Sequence, residues 1–345
     1  MAATDRSRGQ APGHGQNGVV HALAAPDKYR GSLPAAAVAR ALAEGVRSCG
    51  WSCVELPLAD GGEGTLDALG GENRSTRVTG PLGEPVVAGW RLEGGVAVVE
   101  TARASGLALA GGAEGNDPVA ATTRGAGELV AAALAAGAER VIVAVGGSAT
   151  TDGGLGAVDA LGWRPFEVPV EVACDVRTRF RDAAAVFGPQ KGATADQVAL
   201  LTERLDRLSE RYRAELGADI GGLAGAGAAG GLAGGLAALG ATIAPGFELV
   251  AERVGLADAL ANADLVLTGE GKLDETSLEG KVVGGVLETA SARGVAAAVV
   301  AGQVGIAVGV PTVSLVERFG EERAWHDTAA CIAEAAAALT GSARS

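Results

Sequence analysis

Histidine is nearly absent from this sequence: His14, His21 and His326 are its three, far apart in 345 residues. That scatter excludes a histidine triad and a histidine-rich metal site. Cysteine is almost as scarce, and Cys49, Cys53, Cys174 and Cys331 are too dispersed for a disulfide scaffold or a structural zinc site. A reduced, cytoplasmic protein is expected. Aromatic residues make up 3%, so the core must be built from Val, Leu, Ile and Ala. Positive charge is also short, with 28 Lys and Arg against 41 Asp and Glu and a net charge of −13. Without a basic excess there is little to displace counterions from a phosphate backbone, which excludes nucleic acid and anionic membranes as partners. An anion bound here must be small, held by a few local cations and backbone amides.

Residues 1–17 lack the apolar run of a signal peptide and read as a disordered leader. Ile220 to Phe247 carries no charge over a length that could span a bilayer, yet GGLAGAGAAGGLAGGLAALG has few large side chains to drive insertion. A packed or ligand-hugging segment is expected there. What the chain has in excess is glycine, 55 residues, about double the usual ~7%. No three-residue period accompanies it, so collagen is excluded.

The length favours two domains. VVHALAAP reads as a strand delivering DKYRGS to its carboxyl end, and in the following LPAAAVARALAEGVRSCG the residues Val38, Leu42 and Val46 recur at helical spacing. CVELPLADGGEGT repeats the plan, a strand running into a glycine-rich loop, with Thr65 expected to cap the next helix. From Arg74 to Glu100 the pattern alternates around Gly-Pro and Gly-Gly turns, as antiparallel hairpins do. Parallel α/β character then returns, with ADLVLTGEGKLDETSLEGK read as a strand running into an acidic loop. The expected fold is α/β with two domains. A Rossmann-like, parallel-sheet, three-layer domain is built from both chain ends (18–70 and 255–345), with a mixed α/β domain containing antiparallel strands (71–254) inserted between them.

Five strand ends carry charged or hydroxyl residues among glycines: APDKYRGS, PLADGGEGT, VGGSATTDGG, ACDV and LTGEGKLDETSLEGK. Glycine lets consecutive N–H groups face a ligand, while carboxylates in such loops can hold Mg²⁺ or accept a proton from an attacking hydroxyl. Any one of these carboxylates could instead cap a turn; the recurrence points to a shared site. There is no GxxxxGK[ST] loop, no GxGxxG fingerprint after an early strand, and no GxSxG elbow.

The same stretches carry a specific resemblance. APDKYRGSL and PLADGGEGT resemble the opening signatures of the glycerate kinase family of the bacterial glycerate 2-kinase type, and GGSATTDGG, VACDV, VFGPQKGAT, GAGAAGG, PGFEL and DLVLTGEGKLDETSLEGK follow in family order from about Val19 to Gly302. Lys28 and Tyr29 stand where serine and phenylalanine are usual, Arg30 replaces lysine, and Thr151 replaces asparagine. CDVRTRFRDAAAVFGPQ departs further from the family pattern.

The resemblance implies an ATP-dependent, Mg²⁺-assisted glycerate kinase acting on D-glycerate, with 2-phosphoglycerate as product and a monomer or homodimer as the working unit. A kinase for another small hydroxy acid or polyol, and a non-catalytic sugar-acid-binding regulator, remain as alternatives. Arg30 and Lys28 are expected to engage the substrate carboxylate or the transferred phosphoryl group, and Asp60 and Asp175 compete for the role of base. Ser32, Glu63 and Lys191 are expected at the substrate. Nucleotide is expected against Gly146, Gly147, Ser148 and Thr150 on one loop and Gly269, Lys272, Thr276 and Lys281 on another, with Asp152, Glu270 or Asp274 at the metal.

Overall fold

A computed structural model describes residues 20–343; the leader expected at 1–17 lies outside the described residues. The strands, in chain order, are β1 (His21–Ala24), β2 (Ser52–Glu55), β3 (Arg74–Thr79), β4 (Pro85–Glu93), β5 (Val96–Glu100), β6 (Arg140–Ala144), β7 (Val170–Cys174), β8 (Thr242–Pro245), β9 (Leu265–Leu273), β10 (Ala296–Val304) and β11 (Thr312–Ser314). They form two sheets. The first has the order β11-β10-β9-β1-β2, is parallel throughout, and draws its strands from both ends of the chain. The second has the order β3-β4-β5-β6-β7-β8, antiparallel across β3-β4-β5 and parallel from β5 to β8. The two-sheet α/β architecture expected from the sequence is the one observed.

Helices form where apolar spacing required them. Val38, Leu42 and Val46 of helix Ala35–Ser48 are fully buried and join Ile332 and Leu339 of helix Thr328–Ser342 against the first sheet. In helix Ala195–Leu216, Thr194 and Gln197 form a capping box and Leu201, Leu205, Leu208 and Tyr212 turn inward. Helix Gly246–Val254 ties the sheets together. Its Phe247 and Val250 pack with Leu23 and Val266 beside the first sheet, and its Leu249 packs with Ile142 and Ala173 of the second.

At the loops between the sheets, glycine is spent on backbone contact. A Cβ on Gly246 would lie 1.9 Å from the Asp60 carbonyl oxygen, and one on Gly146 would lie 2.5 Å from Gly62 Cα. Gly61, at φ +87°, also crowds Gly246, and its carbonyl accepts a hydrogen bond of 3.1 Å from Val145 N–H. The PLADGGEGT loop therefore threads directly between the two sheets. In the charge-free segment the Phe180 ring fills the space beside Gly231 and Gly234. Among the described residues, no helix is long and apolar enough to cross a membrane.

Local expectations needed revision at three places. Strand β9 runs on to Leu273 through GEGK, read from sequence as loop, because Gly269 and Glu270 pair with Val300 and Ala301 of β10. Only glycine fits there, since a Cβ on Gly269 would meet the Val300 carbonyl oxygen at 1.9 Å. Thr65 is the first residue of helix Thr65–Ala68, with Gly64 as its cap, and its hydroxyl donates to Gly62 O at 2.7 Å. Asp152, expected at a metal, is an internal brace: Oδ2 accepts from Thr123 N–H (2.8 Å), Thr123 Oγ1 (2.8 Å) and Gly156 N–H (3.2 Å), and Oδ1 accepts from Gly154 N–H (3.1 Å). Burial pushes its carboxyl up from the usual range, against those donors.

Two stability measurements test this account. Asp152→Asn exchanges an acceptor for a donor amid converging N–H groups and is expected to cost ~1–3 kcal/mol, with nucleotide affinity retained in the folded fraction. Gly246→Ala is expected to cost ~1–3 kcal/mol by overpacking against Asp60. Thermal or urea unfolding checks both, and an unchanged midpoint would contradict the packing described.

Candidate functional site

The site lies where the carboxyl ends of the two sheets face each other. From β1 the chain enters APDKYRGS, which is locked onto the first sheet. Asp27 N–H donates to Gly269 O (2.9 Å), and the buried Tyr29 hydroxyl donates to Val300 O (2.7 Å). This anchoring directs Lys28 Nζ to within 3.6 Å of Asp27 Oδ1 and 4.0 Å of Asp60 Oδ1. Burial opposes the charge on Lys28, but the two carboxylates more than offset it and raise its pKa above the ordinary lysine value. Asp27 is pushed up to about 6, mainly by burial, with Lys28 opposing the rise and Asp60 adding to it.

Asp60 Oδ1 also accepts Gly62 N–H at 3.1 Å, turning the loop so that Glu63 stands exposed beyond it. Glu100, buried at the end of β5, holds this loop from below, its Oε2 accepting Gly64 and Leu66 N–H groups at 3.1 Å each. On the second sheet β6 empties into Gly146, Gly147 and Ser148, and β7 into Asp175. Burial raises the Asp175 pKa, Asp60 raises it further, and Lys281 and Lys28 oppose; the carboxylate thus feels charges carried on the opposite side of the cleft. Lys191 is buried in the wall, with Nζ donating to Ser148 Oγ (2.9 Å) and Thr150 O (2.6 Å).

Two cavities occupy the cleft, of about 1280 Å³ and about 380 Å³. The larger is lined by Glu63, Gly146, Gly147, Ser148, Asp175 and Lys191, the smaller by Glu270, Lys272 and Trp325. Lys28, Arg30, Ser32, Asp60 and Lys281 border both, as does Asp27. Ser32 Oγ is 2.7 Å from Thr328 Oγ1. Glu270 is pushed up to about 7 by burial, with Ser277 opposing, and its Oε1 is buried without a hydrogen-bond partner.

Five expected site residues border neither cavity. Thr150 is buried, with Oγ1 turned to Ala229 O at 3.3 Å. Asp152 is the brace described above, and Gly269 is a strand residue. Asp274 Oδ1 accepts from both the N–H (3.1 Å) and the Oγ1 (2.7 Å) of Thr276, capping the turn Glu275–Leu278. Thr276 is thus held in that turn, with Lys281 Nζ reaching its Oγ1 at 3.2 Å, while the other oxygen of Asp274 lies 3.8 Å from Lys272 Nζ. Two further carboxylates belong to the cleft without standing out in the sequence, Asp27 and Glu100. Asp27 sits inside the first polar loop, and Glu100 ends an apolar strand as the other candidates do.

Residues 22–168 and 164–345 match the glycerate kinase family. A glycerate kinase of Bacillus subtilis (strain 168) is 40% identical over 324 residues, covering 82% of this chain and 85% of the relative. A glycerate 2-kinase of Escherichia coli (strain K12) is 38% identical over 308 residues, covering 77% and 81%. A crystal structure from Salmonella typhimurium LT2, of a protein provisionally assigned as a glycerate kinase 2, superposes with a TM-score of 0.81 at 34% identity, covering 94% of this chain and 98% of that one. The chain belongs to the glycerate kinase family.

Proposed function

We propose that this protein phosphorylates D-glycerate with ATP, by direct Mg²⁺-assisted transfer to the 2-hydroxyl. The observation that carries the reading is the junction of the two cavities. A two-substrate transfer needs donor and acceptor pockets that meet at a cation and a carboxylate, and Lys28, Arg30, Asp60 and Lys281 border both cavities.

The donor set suits a magnesium-bound nucleotide. Among the described residues no group of three or more His, Cys, Asp or Glu converges on a metal position. Mg²⁺, however, commonly takes one or two carboxylates and completes its shell with phosphate and water. Asp27, Asp60 and Glu270 are the carboxylates for that role, and the orphaned Oε1 of Glu270 is an acceptor that such an ion would satisfy. When bound, the ion neutralises charge on the phosphate oxygens. Lys28, kept charged by Asp27 and Asp60, steadies the transferred phosphoryl group, and Arg30 offers a planar fork from the rim. Asp175 takes the hydroxyl proton; its raised pKa makes it a better base than an ordinary aspartate.

An ADP-release assay with ATP, Mg²⁺ and a panel of short hydroxy acids tests the assignment. Turnover is expected with D-glycerate, and phosphorus NMR of the product should show the 2-phosphate. Preference for another acid would move the substrate, and no turnover on the whole panel would favour a binding protein. Lys28→Met and Asp175→Asn are each expected to lower kcat at least ~100-fold with a melting temperature within a few degrees of the parent. A variant with near-parental kcat would remove that residue from the chemistry.

A further inference from the structure

Lys191 is a buried cation whose own chain supplies no counter-charge at contact distance. It is 3% exposed, and its Nζ is hydrogen-bonded to two neutral oxygens, Ser148 Oγ and Thr150 O. Among the described residues it has no ion pair. Asp152 is the charge that acts on it, through space, and the Asp152 oxygens are already taken by Thr123, Gly154 and Gly156. Of the segments packed against Pro189–Lys191, Gly112–Gly115 carries Glu114 and is followed by Asp117, both exposed, and helix Ala183–Phe187 carries no charge. Burial pushes the Lys191 ammonium down to about 7, with Asp152 opposing. An ammonium there has three protons, of which Ser148 and Thr150 use two.

We propose that Lys191 Nζ and Ser148 Oγ form an oxyanion subsite of the larger cavity, which takes up one proton from solvent when a carboxylate or phosphate oxygen binds. The inference rests on the kinase reading for the identity of its anions, namely the acceptor's carboxylate or a nucleotide phosphate. The sign of the linkage is fixed by the buried amine. Below pH 7 the lysine is already protonated and binding is proton-neutral. Above pH 7 the free amine must gain a proton to meet the anion, so affinity falls ~10-fold per pH unit. Above pH 7 the empty cavity thus holds a neutral amine, which becomes a cation when an anion binds.

Calorimetric titration of the full chain at pH 6 and pH 8, in buffers of different ionisation enthalpy, reads the proton directly. D-glycerate alone and ADP alone are the probes, and they distinguish the carboxylate from the phosphate. About one proton is expected to be taken up at pH 8 with the ligand that occupies the subsite, close to none at pH 6, and none with Lys191→Met. Lys191→Arg, if it folds, should bind the same ligand without proton uptake. No uptake at pH 8 with either probe, or uptake that persists in Lys191→Met, would overturn the proposal. Absence of uptake in the parent protein overturns the proposal even if both variants unfold, whereas uptake in the parent is assigned to Lys191, rather than to Asp27 or Glu270 in the same cleft, by its loss in Lys191→Met. A chain that phosphorylates glycerate yet takes up no proton sinks the subsite and spares the reaction; uptake with ADP in a chain without turnover does the reverse.

Discussion

Where Gly146 passes Gly62, two main chains lie closer than any side chain on Gly146 would allow, and the site depends on that crossing. Each chain is the exit from a strand of a different sheet. Their approach brings the carboxyl end of β6 against the loop after β2, and the hydrogen bond from Val145 to Gly61 fixes the register. Gly246 closes the other side against the Asp60 carbonyl. Asp60 is thus positioned by its neighbours' lack of Cβ atoms as much as by its own loop, a rigid seat of the kind a reacting constellation requires. Gly61, Gly146 and Gly246 are the part of the glycine excess that this interlocking requires.

On that scaffold the charges are arranged so that burial and pairing pull in different directions. Lys28 sits between two carboxylates, which keep it charged despite its burial, while one of them, Asp27, is itself raised because it is more deeply enclosed. Asp175, on the opposite sheet, is raised by burial and by Asp60. Ammonium and raised carboxylate therefore occupy one cleft, and among the described residues no ion pair joins Lys28 to Asp175. The proposed transfer draws on such a separation, a fixed positive charge for the phosphate and a base for the hydroxyl. A chain with net charge −13 can still bind anions, because the field that matters is set within a few ångströms.

Much of this was legible along the sequence. The spacing of Val38, Leu42 and Val46 dictated a buried helix face, and the alternation from Arg74 to Glu100 dictated antiparallel strands. The polar strand ends did converge, because a parallel sheet collects its loops on one side. What could not be read was which carboxylate is spent on structure. Asp60 and Asp152 both precede Gly-Gly, and both accept the N–H two residues on. The difference is made by Thr123, 29 residues before Asp152, whose N–H and hydroxyl claim the second oxygen. GEGK looked like loop for a related reason: its glycines answer to the carbonyls of β10, a partner that local pattern does not reveal.

The commitment of Asp152 has an electrostatic sequel in its own loop. VGGSATTDGG begins at the cavity with Gly146 and Ser148 and ends inside the second sheet's core, where Asp152 draws in the N–H groups of Gly154 and Gly156. Thr150, between them, turns its carbonyl to Lys191. Had Asp152 instead faced Lys191, the two would have formed a closed buried pair, a strong internal contact with nothing left for a ligand. By using the carboxylate as a brace, the fold leaves the amine partnered only by neutral oxygens. The loop thereby differs along its length, braced by Asp152 at the inner end and lining the cavity at Gly146 to Ser148, with Thr150 as the connection between them.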